Sequence, residues 1–131
     1  MHHSAHNEHW LVSGLVEGEV VVWDSLRVSG SPAVRRQLAV LYSDVAGDGD
    51  GVVSVRHTYP ILQKGGAVCG FLAAAFLIDY AQGLMPHRRV YVQETAKSAV
   101  LHILRTGTIK VRHLCRCSER TSYGELVFVS Q

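Results

Sequence analysis

Gln63-Lys64-Gly65-Gly66-Ala67-Val68-Cys69-Gly70-Phe71-Leu72-Ala73-Ala74-Ala75-Phe76-Leu77-Ile78-Asp79-Tyr80-Ala81-Gln82-Gly83 is the stretch around which this chain organises itself. Gln63 to Gly66 is a polar, glycine-bearing loop. From Cys69 to Gln82 the chain is rich in Ala, Leu and Phe, and Gly83 and Pro86 stop it, which is the pattern of a buried central helix. The apolar run from Ala67 to Ile78 falls well short of the roughly 20 residues that cross a bilayer, so it belongs to the core of a folded domain. A cysteine therefore opens the central helix. At that place the positive end of the helix dipole and the free backbone N–H groups favour the thiolate, which is the nucleophilic form. The competing role for a buried free cysteine is that of a small packed hydrophobe.

Ahead of this helix, the regular hydrophobic pattern begins at Trp10. Trp10 to Val16 suits a strand, Glu17-Gly18 a turn and Glu19 to Trp23 a second, strongly apolar strand, which together predict a hairpin. Ser31-Pro32 sets a capping hydroxyl before a first-turn proline, and Val34, Leu38 and Leu41 follow at helical spacing, predicting a helix over about 32–42. After the glycine-rich turn at 47–51, a third strand is expected from Val53 to Tyr59, closed by Pro60. Beyond the central helix, a further helix is expected over about 91–105, with Ala96, Val100, Ile103 and Leu104 inward and Gly107 past its end. A last strand is expected over Glu125–Val129. Residues 1–8 are expected to be a polar tail, 9–112 the core and 113–131 a weakly patterned tail.

The chain has 131 residues, 47% of them hydrophobic and 18% charged, the proportions of one globular domain. Its 13 basic residues are scattered and the formal net charge is only +2, which argues against a nucleic-acid surface. Three unevenly spaced cysteines and no secretory leader pattern give the expectation of a reducing, intracellular setting, nucleus or cytoplasm. No membrane partner and no cofactor is expected, and nothing in the pattern specifies an oligomeric state.

A nucleophilic thiol needs a proton acceptor, and a histidine base needs a third group to hold its tautomer. His9 and Asp24 are the candidates, because pairing of the hairpin can bring the start of its first strand beside the end of its second. Each also has a plain alternative, His9 as a solvated residue of a histidine-rich tail and Asp24 as a turn former. Acyl transfer further requires an oxyanion donor, and Gln63 in the loop leading to Cys69 can supply a side-chain amide. Ser25 lacks the strained elbow of a serine nucleophile.

The segments His9-Trp10, Val22-Trp23-Asp24-Ser25-Leu26 and Gln63-Lys64-Gly65-Gly66-Ala67-Val68-Cys69-Gly70-Phe71 occur in an order that resembles the SUMO-protease-like (Ulp/SENP-type) cysteine peptidases. That family has His-Trp, a strand ending in Asp-Ser, and a Gln a short loop ahead of Asp-Cys-Gly. The resemblance runs from His9 to about Pro86. It implies an α+β fold with a papain-like, adenain-like core, in which a small mixed sheet packs on a central helix bearing the cysteine. It also implies that Cys69 attacks a peptide or isopeptide carbonyl after the Gly-Gly end of a ubiquitin-like modifier. His9 would then act as base, Asp24 as its orienter, Gln63 with the Cys69 N–H as oxyanion site, and Trp10 as a wall of the substrate channel. Val68 replaces the family's aspartate, and only eight residues precede His9, so a divergent, N-terminally truncated member is expected.

His113, Cys115 and Cys117 form a short cluster that is too tight for a standard zinc finger and has no fourth ligand nearby, so no metal site is expected. Two functional classes remain from the sequence: a cysteine isopeptidase with the modifier and its conjugates as partners, and an inactive interaction domain that keeps the core.

Overall fold

The computed structural model describes residues 1–4, 8–27, 31–47, 49–50 and 52–109, and the backbone of 115–116 and 125–130. Strands β1 (His2–Ser4), β2 (His9–Val16) and β3 (Glu19–Trp23) are followed by α1 (Pro32–Ala46) and β4 (Val52–Thr58). Helix α2 (Cys69–Ala81), the short β5 (Val90–Tyr91), α3 (Gln93–Thr106), β6 (Cys115–Arg116) and β7 (Glu125–Ser130) complete the order. The main sheet runs β1-β2-β3-β4-β7, while β5 and β6 form a separate pair. The sheet is mixed: β3 and β4 are parallel and the other neighbours antiparallel. A parallel pair cannot be closed by a tight turn, and α1 supplies the crossover between β3 and β4.

Glu17 and Gly18 join β2 to β3 with φ of 53° and 84°, the two positive values that let a two-residue turn match the twist of its strands. Helix α1 begins where Ser31 Oγ accepts the Val34 N–H at 3.3 Å and Pro32 occupies the first turn. Gly107 ends α3 in the left-handed region at φ 66°.

Both faces of the sheet are covered, which explains why Val20-Val21-Val22-Trp23 is continuously apolar instead of alternating. Val20 and Val22 join Leu11, Val53 and Val55 in a core against Val34, Leu38 and Tyr42 of α1. Val21 and Trp23 join Val12 in a second core against Leu72, Ala73 and Phe76 of α2 and Ala96 and Val100 of α3. The central helix therefore fills one face only, and α1 fills the other.

Three sequence expectations are corrected. The polar tail over 1–8 instead contributes β1, because His3 pairs with Trp10 and the buried His2 is satisfied across the sheet. The His2 ring bonds Ser13 Oγ at 2.6 Å and Gln37 Oε1 at 3.1 Å, and Ser13 Oγ bonds the Tyr42 hydroxyl at 2.8 Å. Burial, with the nearby positive N-terminus, lowers the His2 pKa and favours the neutral ring, whose Nδ1 can donate to Gln37 while Nε2 accepts from Ser13. In α1 the buried stripe runs through Val34, Leu38 and Tyr42, leaving Leu41 58% exposed, because steps of four stay closer to the contact line against the sheet. In α3, Ala96, Ala99 and Val100 are buried and Ile103 is half-buried, but Leu104 is 73% exposed, because it borders the open cleft shared with Phe71 and Ala74 instead of a packed neighbour.

Gly14 sits where β2 meets α2. A Cβ built there would lie 2.5 Å from Tyr80 Cζ and 3.0 Å from Trp23 Cη2. The Tyr80 hydroxyl is tied to the Leu15 carbonyl at 2.8 Å, so its ring has little freedom to retreat. Gly14→Ala is expected to destabilise the fold by about 1–3 kcal/mol, as overpacking does. An unchanged urea midpoint would show that α2 can shift without cost.

Candidate active site

Three separate elements meet at the end of the sheet where β2 begins. His9 is the first residue of β2, Asp24 follows the last residue of β3, and Cys69 is the first residue of α2. The register pairs Val12 with Trp23, so extending both strands past this pair carries Asp24 towards the start of β2. His9 Nε2 and Asp24 Oδ1 are 2.7 Å apart with both side chains fully buried. Asp24 is itself fixed: its N–H donates to the Thr58 carbonyl at 3.0 Å, and its Oδ1 accepts the Leu26 N–H at 2.7 Å. The carboxylate is therefore held by backbone on both sides of the turn that leaves β3.

With Nε2 on Asp24, the tautomer that protonates Nε2 leaves Nδ1 as the basic nitrogen. Among the described residues Nδ1 has no hydrogen-bond partner, and the Cys69 sulfur lies close enough to the imidazole for each group to shift the other's pKa. Cys69 is 8% exposed, and its sulfur also lies 4.0 Å from the Glu8 carbonyl oxygen.

The electrostatics move the two groups towards one another. Burial pushes the His9 pKa down, but the hydrogen bond and charge of Asp24, together with Cys69, outweigh it and leave the ring more basic than usual. Burial pushes the Cys69 thiol up, yet the backbone N–H groups of Trp10 and Gly70 and the His9 ring outweigh it, so its pKa is lowered. A raised imidazole and a depressed thiol favour the ion-pair form, in which the Cys69 sulfur is deprotonated. Alkylation of Cys69 by iodoacetamide is accordingly expected to persist below the ordinary thiol pKa of about 8.5 and to fall off only at lower pH. A single titration near 8.5 would contradict this electrostatic picture.

Gln63 lies in the loop before α2, and Ser25 holds it. The Gln63 N–H donates to the Ser25 carbonyl at 2.9 Å, and Ser25 Oγ donates to Gln63 Oε1 at 2.7 Å. The Gln63 amide nitrogen donates in turn to the Gly65 carbonyl at 3.1 Å. Trp10 is 40% exposed beside the cysteine, its ring 4.6 Å from that of His3 and within van der Waals range of where a Gly70 Cβ would stand. Trp10, Cys69, Phe71, Ala74 and Leu104 help line an open cleft of about 410 Å³, so the exposed Leu104 borders the cysteine's own groove.

Val68, in place of an acidic helix start, makes no side-chain cap and packs instead in the core with Trp23 and Leu72. Three non-glycine residues with positive φ flank the site: Glu8 at 47°, Arg27 at 58° and Ala67 at 62°. Such backbone is costly and persists where surrounding structure enforces it, which is common around reactive groups. Ser25 is the site residue that the sequence reading did not assign. Its signal in the sequence is its place in the Asp24-Ser25 pair, and nothing local ties it to a residue 38 positions later.

His113, Cys115 and Cys117 lie outside the residues whose side chains are described. Among the described residues no group of three or more His, Cys, Asp or Glu could hold a metal ion, and no helix is long and apolar enough to cross a membrane. No family model matches the chain, and no curated protein or solved structure matches it.

Proposed function

We propose that this chain is a cysteine-type peptidase with a papain-like, adenain-like core, acting on the peptide or isopeptide bond after the Gly-Gly end of a ubiquitin-like modifier. The observation that carries the chemistry is the approach of His9, Asp24 and Cys69, from three elements, around one buried imidazole. The modifier class rests on the resemblance of the His9-Trp10, Asp24-Ser25 and Gln63-to-Phe71 segments.

In this reading the Cys69 thiolate attacks the carbonyl carbon and forms a C–S bond while the carbonyl oxygen becomes an oxyanion. The Cys69 backbone N–H and the Gln63 amide stabilise that charge. His9, protonated in the ion pair, gives its proton to the departing amine as the C–N bond breaks, leaving a thioester. Water then attacks the thioester with His9 as base, releasing the carboxylate and restoring the thiolate and imidazolium. Asp24 keeps Nε2 protonated throughout, and Trp10 walls the cleft through which the tail approaches.

The test is covalent capture. Ubiquitin and SUMO carrying a C-terminal vinyl sulfone are incubated with the chain, and at least one is expected to form an adduct that maps to Cys69 and is absent in Cys69→Ala. A folded chain labelled by neither would favour the alternative reading, an interaction domain that keeps the core without the reaction.

A further inference from the structure

We infer that Ser25 is a positioning residue that fixes the orientation of the Gln63 amide, so that the Asp24-Ser25 dipeptide aligns the base and the oxyanion donor together. The inference rests on the cysteine-peptidase reading of the site. Asp24 and Ser25 leave β3 with their side chains going to different partners: Asp24 to His9 and Ser25 to Gln63. Ser25 is 1% exposed, so little solvent competes for its hydroxyl. It grips Gln63 twice, accepting the Gln63 backbone N–H at 2.9 Å and donating from Oγ to Oε1 at 2.7 Å.

The orientation of the amide follows from what each neighbour can do. The Gly65 carbonyl can only accept, so the Gln63 atom 3.1 Å from it must be the nitrogen. Oε1 then faces Ser25, whose hydroxyl must donate. Among the described residues Gly65 engages one of the two Nε2 hydrogens, and in the cysteine-peptidase reading the second is the one that would serve the developing negative charge. Without the Ser25 hydroxyl, Oε1 loses its donor, and the single exposed bond to Gly65 is left to restrain a last torsion that has a broad, roughly two-fold preference. An oxyanion donor contributes through its preorganisation, and removing one outright lowers turnover by about 10²–10³-fold. Loosening it should have a smaller effect.

Two readouts test this. The first is ¹⁵N relaxation of the Gln63 side-chain NH₂, assigned by its disappearance in Gln63→Ala. A rigid amide is expected in the wild type, a mobile one in Ser25→Ala, and recovered order in Ser25→Thr, which retains a hydroxyl. The second is hydrolysis of a modifier C-terminal coumarin amide. Ser25→Ala should lower kcat about tenfold with KM nearly unchanged, and should add nothing in a Gln63→Ala background. The iodoacetamide pH profile should be unaltered, because the His9, Asp24 and Cys69 contacts remain. Unchanged amide order in Ser25→Ala, or a loss that multiplies with that of Gln63→Ala, would overturn the inference. If the wild type hydrolyses no modifier substrate, the proposed function fails, while the relaxation data still decide whether Ser25 holds Gln63.

Discussion

Asp24→Asn is expected to lower kcat on the order of 10³-fold while leaving the chain folded. Asparagine keeps an oxygen that can accept the Leu26 N–H, the 2.7 Å bond that shapes the turn after β3, and it preserves the buried volume. What it removes is the charge facing His9 Nε2 at 2.7 Å. Either orientation of the new amide impairs His9 in the base role proposed for it. If its oxygen faces Nε2, the tautomer survives but the imidazolium formed beside Cys69 loses its counter-charge. If its nitrogen faces Nε2, the Leu26 N–H loses its acceptor too, which disfavours this orientation, and the ring proton is driven to Nδ1, turning the nitrogen beside the thiol into a donor.

The pKa directions give the same sign. Asp24 is the leading influence raising His9, and His9 in turn helps lower Cys69. Asp24→Asn should therefore shift the alkylation limb of Cys69 towards higher pH as well as slow turnover. Steady-state hydrolysis and the iodoacetamide profile together check this. Activity within about tenfold of the wild type, with an unmoved limb, would show that the carboxylate is a turn former and not an orienter.

Trp23→Ala is expected to cost about 3–5 kcal/mol, the range for truncating a large buried aromatic residue. Trp23 is fully buried at the junction of β3, α2 and the turn at Pro86–Arg88. Its ring lies 5.0 Å from that of Tyr80 and stacks at 10° to His87, and its Nε1 donates to His87 Nδ1 at 3.1 Å. Burial and the positive Arg56 and Arg88 lower the His87 pKa, favouring the neutral ring whose Nδ1 can accept that bond. The truncation thus combines a cavity with the loss of a buried donor. Against the 5–15 kcal/mol that typically separates folded from unfolded states, this is a large fraction of the total. Trp23→Phe, which fills much of the space but cannot donate, should cost about 1–3 kcal/mol from the unmet acceptor. Urea unfolding of both variants separates the two contributions, and equal losses would assign the whole effect to the hydrogen bond.

Because Trp23 directly precedes Asp24, the same side chain that anchors β3 in the core also sets where the carboxylate begins. Core and site are joined through one peptide bond there.

The hairpin, the cap at Ser31, the start of α2 at Cys69 and the α+β class were legible along the chain, because turn chemistry, capping and apolar periodicity act over a few residues. The hairpin also made the meeting of His9 and Asp24 readable, since strand register follows from a two-residue turn. Local pattern could not show that His2–Ser4 adds a strand, because a short polar segment joins a sheet only when its buried groups find partners such as Ser13 and Gln37. Nor could it tell that Leu41 and Leu104 turn outward, since the helix periodicity marks an apolar face without saying how far the neighbouring element reaches.

The quoted stretch by itself determined a cysteine at the head of a buried helix. Only the tertiary structure decided that this cysteine stands beside His9 and that Ser25 holds Gln63. Those contacts span 60 and 38 residues of chain and exist only once α2 and its leading loop pack onto the strands.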